Sequence, residues 1–182
     1  LVVSDLPGCD LRLWLIDEQN MDRAFSSDET RRILEEPPYW SFCWASGLAM
    51  AHFLAEYPQW VAGKRVLDFG AGSGIAGIAA ARAGALEVVA CDLDPLALQA
   101  CLANAALHGV TPGYSSDFFA EHDRFDLILV AVVLYDRHNL PSSAALLAPA
   151  RPALVAGSRA PGRRPPPHAP RGAPEGLTDG TG

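Results

Sequence analysis

The stretch VLDFGAGSG, residues 66–74, places an apolar segment, a carboxylate and a glycine-rich loop in direct succession. Residues 65–69 predict a buried strand, and residues 75–83 predict the helix that follows the loop. Glycine lets the backbone turn tightly and approach a ligand without interference from a Cβ atom. The first turn of the helix also presents free backbone N–H groups. The stretch therefore predicts a ligand site between a strand and a helix.

The segments after this loop repeat the same alternation of strand and helix. Residues 86–91 predict a second strand, and Asp94 followed by Pro95 is a strong helix start, with Gly109 at the end of that helix. Residues 125–133 form a nearly unbroken apolar run, as expected of a strand covered on both faces. The remaining predicted elements are a strand at 11–16, helices at 27–36, 47–57 and 139–147, and a short strand at 153–156.

Strands separated by helical segments indicate a parallel sheet with right-handed crossovers, and hence a doubly wound α/β fold. The chain of 182 residues is long enough for one such domain with its own core. In these sheets a ligand binds beyond the carboxyl ends of the strands. The residues that end each predicted strand are therefore the candidates for function.

Two classes of cofactor compete for the glycine loop. Residues 72–77 match the dinucleotide pattern G-x-G-x-x-G, and Asp92 lies about 20 residues further on, as that pattern requires. Counted from Gly70, however, the pattern fails at Ile75. Asp68 beside the loop would repel a pyrophosphate and attract the ammonium and sulfonium charges of S-adenosylmethionine (SAM), directly or through water. This favours SAM, with an NAD-type dinucleotide as the alternative.

Further carboxylates and one aromatic side chain complete the predicted cofactor site. Asp92 ends the second strand and can accept hydrogen bonds from both ribose hydroxyls. Asp117 either meets the adenine amino group or is a solvated loop residue. Trp44 either packs in the core or faces the sulfonium charge through its ring. The predicted cofactor-binding residues are Trp44, Asp68, Gly70, Ala71, Gly72, Gly74, Asp92 and Asp117.

Composition excludes several other classes of function. A formal charge of −7 argues against a nucleic-acid partner that needs a basic surface. The four cysteines have no C-x-x-C spacing and the five histidines are scattered, so no metal site or disulfide framework is expected and a cytoplasmic location is predicted. The N-terminus does not resemble a signal peptide, and no apolar run is long enough to span a membrane.

Three stretches carry a resemblance to a known family, namely residues 38–47 with their tryptophans, residues 66–74, and Leu134-Tyr135-Asp136 after the last long strand. Together they resemble the seven-strand class I SAM-dependent methyltransferases. They are most similar to the lysine methyltransferases that include the enzyme modifying the electron transfer flavoprotein β-subunit, and to its bacterial relatives. The resemblance implies a Rossmann-like sheet and methyl transfer from SAM to a protein lysine ε-amine, with Tyr135 and Asp136 as catalytic residues. A small amine, such as a nicotinamide-like compound, is the alternative acceptor.

The chain departs from the family pattern in two places. Val132 stands where the family usually has an acidic residue that would orient or receive the amine, so a degenerate SAM-binding domain without turnover is a further alternative. The segment after residue 159 is rich in Pro, Arg and Gly, predicts disorder, and offers no C-terminal strand hairpin, which suggests a shifted reading frame or a truncated product. The predicted organisation is an N-terminal extension (1–36), a methyltransferase domain (37–159) and a disordered tail (160–182).

Overall fold

The computed structural model describes residues 1–17, 19, 24–118, 125–131 and 152–156. Two antiparallel strands form an N-terminal hairpin, β1 (Val2–Asp5) and β2 (Arg12–Leu15). The helices are α1 (Ser27–Glu35), α2 (Ala45–Glu56), α3 (Ile75–Arg82) and α4 (Pro95–Ala106). The strands of the central sheet are β3 (Arg65–Phe69), β4 (Glu87–Cys91), β5 (Gly113–Ser115), β6 (Leu127–Val130) and β7 (Ala153–Val155).

In the described part of the chain, the central sheet has five parallel strands in the order β5-β4-β3-β6-β7. The strand order reverses next to β3, because β4 and β5 lie on one side of it and β6 and β7 on the other. Phe69 is in register with both Cys91 and Val130, so β3, β4 and β6 end at the same edge of the sheet. This confirms the predicted α/β class, and it places the glycine loop at the switch point where such sheets bind ligands.

Helix α3 lies in the middle of the core and consists mainly of small residues. Its residues from Ile75 to Ala80 are all buried, since the sheet and α2 both pack against it. At Gly47 of α2, an added Cβ would lie only 2.5 Å from Cγ2 of Ile75. The close approach of α2 to α3 therefore depends on a glycine at this position, and it fixes the first turn of α2 beside the start of α3.

The helix signals read from the sequence are present in the structure. Ser26 Oγ accepts a hydrogen bond from the Glu29 backbone N–H, and Glu29 bonds back to the Ser26 N–H, which is the predicted capping box. Asp94 caps α4 by accepting from the Leu96 N–H at 2.8 Å. The helix ends at Ala106 rather than at residue 108, because the following turn is tightened by i to i−3 hydrogen bonds before Gly109.

Two short strands were not predicted from the sequence. β1 is mostly exposed and exists through its pairing with β2, while β5 has only three residues and pairs with the edge of β4. Neither carries the apolar alternation on which strand prediction depends. The predicted helix at 139–147 and the predicted disordered tail at 160–182 lie outside the described residues. The prediction that the C-terminal strand hairpin is lacking concerns residues that are likewise not described.

Candidate cofactor-binding site

The glycine loop takes a left-handed backbone conformation at three of its positions. The φ angles of Gly70, Gly72 and Gly74 are 65°, 53° and 80°. An added Cβ at Gly72 would meet nothing closer than the Gly70 carbonyl oxygen at 3.9 Å, so this glycine faces open space. At Gly74 the same atom would lie 2.8 Å from the Cys101 Sγ, so this glycine allows α4 to pack closely. One glycine therefore leaves room for a ligand, and the other leaves room for the protein.

The backbone N–H groups of this loop are largely satisfied by the protein itself. Those of Gly70 and Ala71 donate to the Cys91 carbonyl at 2.8 and 3.2 Å, and the Gly74 N–H donates to the Ala71 carbonyl at 2.7 Å. The Gly72 N–H donates to the Asp92 Oδ2 at 2.9 Å. In a dinucleotide site such groups point at the pyrophosphate. This loop is thus poorly suited to bind a phosphate.

The Asp92 carboxylate is held firmly at the carboxyl end of β4. Its Oδ2 accepts from Gly72, its Oδ1 accepts from the Asp94 N–H at 3.0 Å, and its own N–H donates to the Ser115 carbonyl. The side chain is half-buried. A carboxylate has about four acceptor positions, so these two bonds leave capacity for donors from a ligand. The predicted role in binding ribose stays a prediction, and the geometry is compatible with it.

Asp68 lies beneath the loop, where its side chain contacts the start of α3. Only 1% of the residue is exposed, and its Oδ2 accepts from the Gly77 N–H at 2.7 Å. Burial raises the pKa of this carboxyl group from 3.8 to about 7, the nearby Asp92 charge adds to the rise, and the Gly77 N–H opposes it. Asp68 therefore takes up one N–H group of the first turn of α3, which would otherwise be available to a pyrophosphate. Its contact with SAM stays a prediction.

The segment around Trp44 lies near the same carboxyl edge of the sheet, next to the end of β6. Ser46, at the start of α2, donates from its hydroxyl to the Ala131 carbonyl at 3.1 Å, just beyond the end of β6. The Trp44 indole N–H donates to the Tyr39 carbonyl at 2.8 Å, and its ring lies 5.8 Å from the Phe42 ring. Trp44 is thus fixed by aromatic packing close to the carboxyl edge, and its contact with a cofactor stays a prediction.

Asp117 follows β5 and is exposed. Its N–H donates to the Ser115 Oγ at 3.2 Å, and it emerges from the same edge of the sheet as Asp92. The adjoining Phe118 is buried and meets Phe69 edge to face, with ring centroids 5.1 Å apart. This aromatic pair was not identified from the sequence. Tyr135, Asp136 and Val132 lie outside the described residues.

Two side chains of α4 support the glycine loop and were not predicted as part of the site. The Cys101 thiol donates to the Gly72 carbonyl with a distance of 3.4 Å, and the Asn104 Nδ2 donates to the Ser73 carbonyl at 2.8 Å. Burial also raises the pKa of the Cys101 thiol, so the group stays protonated and acts as a donor. The signal available in the sequence was Asn104 itself, a polar residue within an apolar helix.

Comparison with protein families gives a match over residues 53–137 to the family described as ribosomal protein L11 methyltransferase, PrmA. This range contains the loop and the strands and helices around it. The chain contains a PrmA-like methyltransferase domain. The resemblance drawn from residues 38–47, 66–74 and 134–136 is thereby confirmed at the level of this domain.

Relatives of the methyltransferase domain carry two different names. Electron transfer flavoprotein β-subunit lysine methyltransferase from Mus musculus is 37% identical over 102 residues, covering 54% of this chain and 40% of the mouse protein. Ribosomal protein L11 methyltransferase from Rhizobium etli is 33% identical over 103 residues, covering 52% of this chain and 35% of that protein. The chain thus spans about two fifths of the length of the mouse relative.

A solved structure of ribosomal protein L11 methylase from Lactobacillus delbrueckii matches the methyltransferase domain with 36% identity and a TM-score of 0.39, covering 44% of this chain and 43% of that one.

Among the described residues, no His, Cys, Asp and Glu side chains form a group of three or more that could hold a metal ion. No helix in the same part of the chain is long and apolar enough to cross a membrane.

Proposed function

We propose that the chain binds SAM at the glycine loop and transfers its methyl group to an amine, with a protein lysine ε-amine as the acceptor. The observation that carries the proposal is that the backbone N–H groups of the loop already have hydrogen-bond acceptors within the protein. The loop N–H groups at Gly70, Ala71, Gly72 and Gly74 bond to protein acceptors. Asp68 accepts from an N–H in the first turn of the helix that follows, at Gly77. A loop arranged in this way suits a cationic ligand better than a phosphate.

The residues present fit SAM in three respects. The open face of Gly72 leaves room for a ligand against the backbone. Asp92 is oriented by the Gly72 and Asp94 N–H groups and retains acceptor capacity for the two ribose hydroxyls. The Asp92 carboxylate gives the site a negative potential that favours a sulfonium cation, and Asp68 adds to this potential in its ionised form. We propose that Trp44 and Asp117 contact the same ligand, Trp44 through its ring face and Asp117 through the adenine amino group.

SAM supplies a methyl group activated by a positively charged sulfur. A bond forms between the acceptor nitrogen and the methyl carbon, the C–S bond breaks with its electron pair passing to sulfur, and the product ammonium carries the positive charge. The acceptor must be neutral, and lysine has an ordinary pKa near 10.4, so a proton is first lost to solvent or to a nearby base. The contribution of the chain is chiefly to hold the two reactants in line. Tyr135 and Asp136 remain the proposed catalytic residues.

Two names among the relatives support a protein acceptor. One relative is named for a lysine of the electron transfer flavoprotein β-subunit and the other for ribosomal protein L11. Both names concern protein substrates, and the match spans about two fifths of the mouse protein. The proposed catalytic domain covers residues 37–159. A small amine is the competing acceptor, and transfer assays on intact proteins and on a panel of free amines distinguish the two.

Calorimetric titration with S-adenosylhomocysteine, the product form of SAM, tests the cofactor assignment directly. We expect the wild-type chain to bind it and not to bind NADH. Asp92→Ala should weaken binding at least about tenfold, because the ribose hydroxyls lose a charged acceptor and the Gly72 N–H loses its partner.

The matched control is Asp94→Ala, two residues further along the chain. Asp94 caps α4 through the Leu96 N–H, so its loss should cost about 1 kcal/mol of stability. Affinity for S-adenosylhomocysteine should stay within about twofold of the wild type, since this change leaves the Asp92 carboxylate in place. Binding of NADH by the folded wild type, or equal affinity of Asp92→Ala and the wild type, would reject the proposed site.

A further inference from the structure

The outer edge of β2 is joined to α4 rather than to another strand. In β2 the alternate residues Arg12 and Trp14 direct their backbone polar groups away from β1. The His108 Nε2 lies 3.3 Å from the Arg12 nitrogen and 2.8 Å from the Arg12 oxygen. The Trp14 N–H donates to the Asn104 Oδ1 at 2.7 Å. Asn104 in the last turn of α4 and His108 in the turn that follows it thus hold the N-terminal hairpin.

Asn104 also holds the glycine loop, and the two bonds use opposite ends of its amide. The Oδ1 accepts from Trp14, whereas the Nδ2 donates to the Ser73 carbonyl at 2.8 Å. A backbone N–H can only donate and a carbonyl can only accept, so the amide orientation is determined by its partners. The residue is fully buried, with 0% exposed. His108, about one turn further along, meets β2 and Arg82 instead.

A hydrogen bond to the Ser73 carbonyl restrains the glycine loop in its middle. It lies between Gly72 and Gly74, whose φ angles are 53° and 80°, and glycine has more conformational freedom to lose than any other residue. A glycine-rich loop is held in one conformation by hydrogen bonds from residues outside the loop. Asn104 supplies such a bond, and Trp14 in turn fixes the orientation of Asn104.

We propose that Asn104 is a positioning residue which couples the N-terminal hairpin to the cofactor loop, so that affinity for the cofactor depends on docking of β2. This inference rests on the proposed function, because the ligand of the loop is taken to be SAM. It assigns the N-terminal extension a part in the site, although the hairpin begins more than 50 residues before the loop. The coupling runs from the Trp14 N–H through the Asn104 amide to the Ser73 carbonyl.

Two substitutions at one position isolate this link. Trp14→Pro removes the backbone N–H, and proline is tolerated where that N–H faces away from the partner strand. Trp14→Ala removes the indole ring and keeps the N–H. We expect affinity for S-adenosylhomocysteine to fall about fivefold more in Trp14→Pro than in Trp14→Ala. Hydrogen exchange of the ligand-free loop, residues 70–74, should accelerate in Trp14→Pro alone.

His108→Ala serves as the control for general loosening of the hairpin. It releases the neighbouring attachment at Arg12 and leaves the bond from Asn104 to Ser73 intact. Exchange of residues 70–74 should therefore stay close to that of the wild type. Equal loop exchange and equal affinity in Trp14→Pro and Trp14→Ala would overturn the inference. If the wild type does not bind S-adenosylhomocysteine while loop exchange still responds to Trp14→Pro, the proposed function fails and the coupling stands.

Asn104→Asp tests the same link from the other end, should Trp14→Pro not fold. The ionised carboxylate can still accept from Trp14, but it cannot donate to Ser73. The protonated acid offers an O–H donor and a carbonyl acceptor, which are the two kinds of bond that Asn104 makes to Ser73 and Trp14. Affinity relative to the wild type at the same pH should therefore be low at pH 8 and recover as the pH falls. A ratio that does not change with pH would contradict the role of the Nδ2 donor.

Discussion

Replacing Gly74 by alanine is expected to lower the free energy of unfolding by about 3 kcal/mol. The φ angle of Gly74 is 80°, a conformation that costs an L-residue roughly 1–2 kcal/mol. The added Cβ would also lie 2.8 Å from the Cys101 Sγ and 3.2 Å from the Cys101 Cα. Because one of these atoms belongs to the backbone of α4, the overlap requires the helix to move. Urea unfolding monitored by circular dichroism measures the loss.

Gly109→Ala is the matched control for this prediction. Gly109 has a φ of 65°, and an added Cβ there would meet no atom within 4 Å, so only the conformational cost applies. The loss should therefore be limited to roughly 1–2 kcal/mol. Combining Gly74→Ala with Cys101→Ala removes the contact with sulfur and keeps the contact with the Cα atom, so part of the loss should return. Equal losses for Gly74→Ala and Gly109→Ala would show that packing against α4 contributes nothing.

Asp68→Asn is expected to remove a pH dependence of stability worth about 2.5 kcal/mol between pH 5 and pH 8. Asp68 is fully buried, and its pKa is raised from the ordinary value of 3.8 to about 7. The folded protein therefore holds a proton that the unfolded chain releases at lower pH. The stability gained from this proton is fully present below about pH 4, and it is lost as the pH rises through 7.

The asparagine variant keeps an acceptor for the Gly77 N–H and does not titrate. Its free energy of unfolding should consequently change less than that of the wild type across this range, so that it gains relative stability at pH 8. Urea titrations at pH 5, 6, 7 and 8 provide the measurement. Asp94→Asn, which replaces a carboxylate at a partly exposed helix cap, controls for the change in net charge. If the difference in unfolding free energy between Asp68→Asn and the wild type is the same at pH 5 and pH 8, the pKa of Asp68 is not raised in the folded protein.

Local sequence signals were sufficient for the elements that surround the site. The apolar run before Asp68, the glycines after it, and the pair Asp94-Pro95 each act within a few residues, and β3, α3 and α4 begin where these signals predict. The same locality placed Asp92 correctly at the end of a strand. The shared edge of the sheet then follows from topology, because parallel strands joined by helices end on the same side.

The sequence alone thus determined the class of the fold, the position of the glycine loop and the two carboxylates beside it. Only the tertiary structure decided what these groups contact. Asp68 accepts from the Gly77 N–H beneath the loop. Asn104 joins Ser73 to Trp14, which lies 90 positions before Asn104 in the chain. Propensity and spacing describe how a chain behaves over one or two turns. The partner of a buried polar group is instead set by which elements pack together, and that arrangement is fixed by the whole core at once.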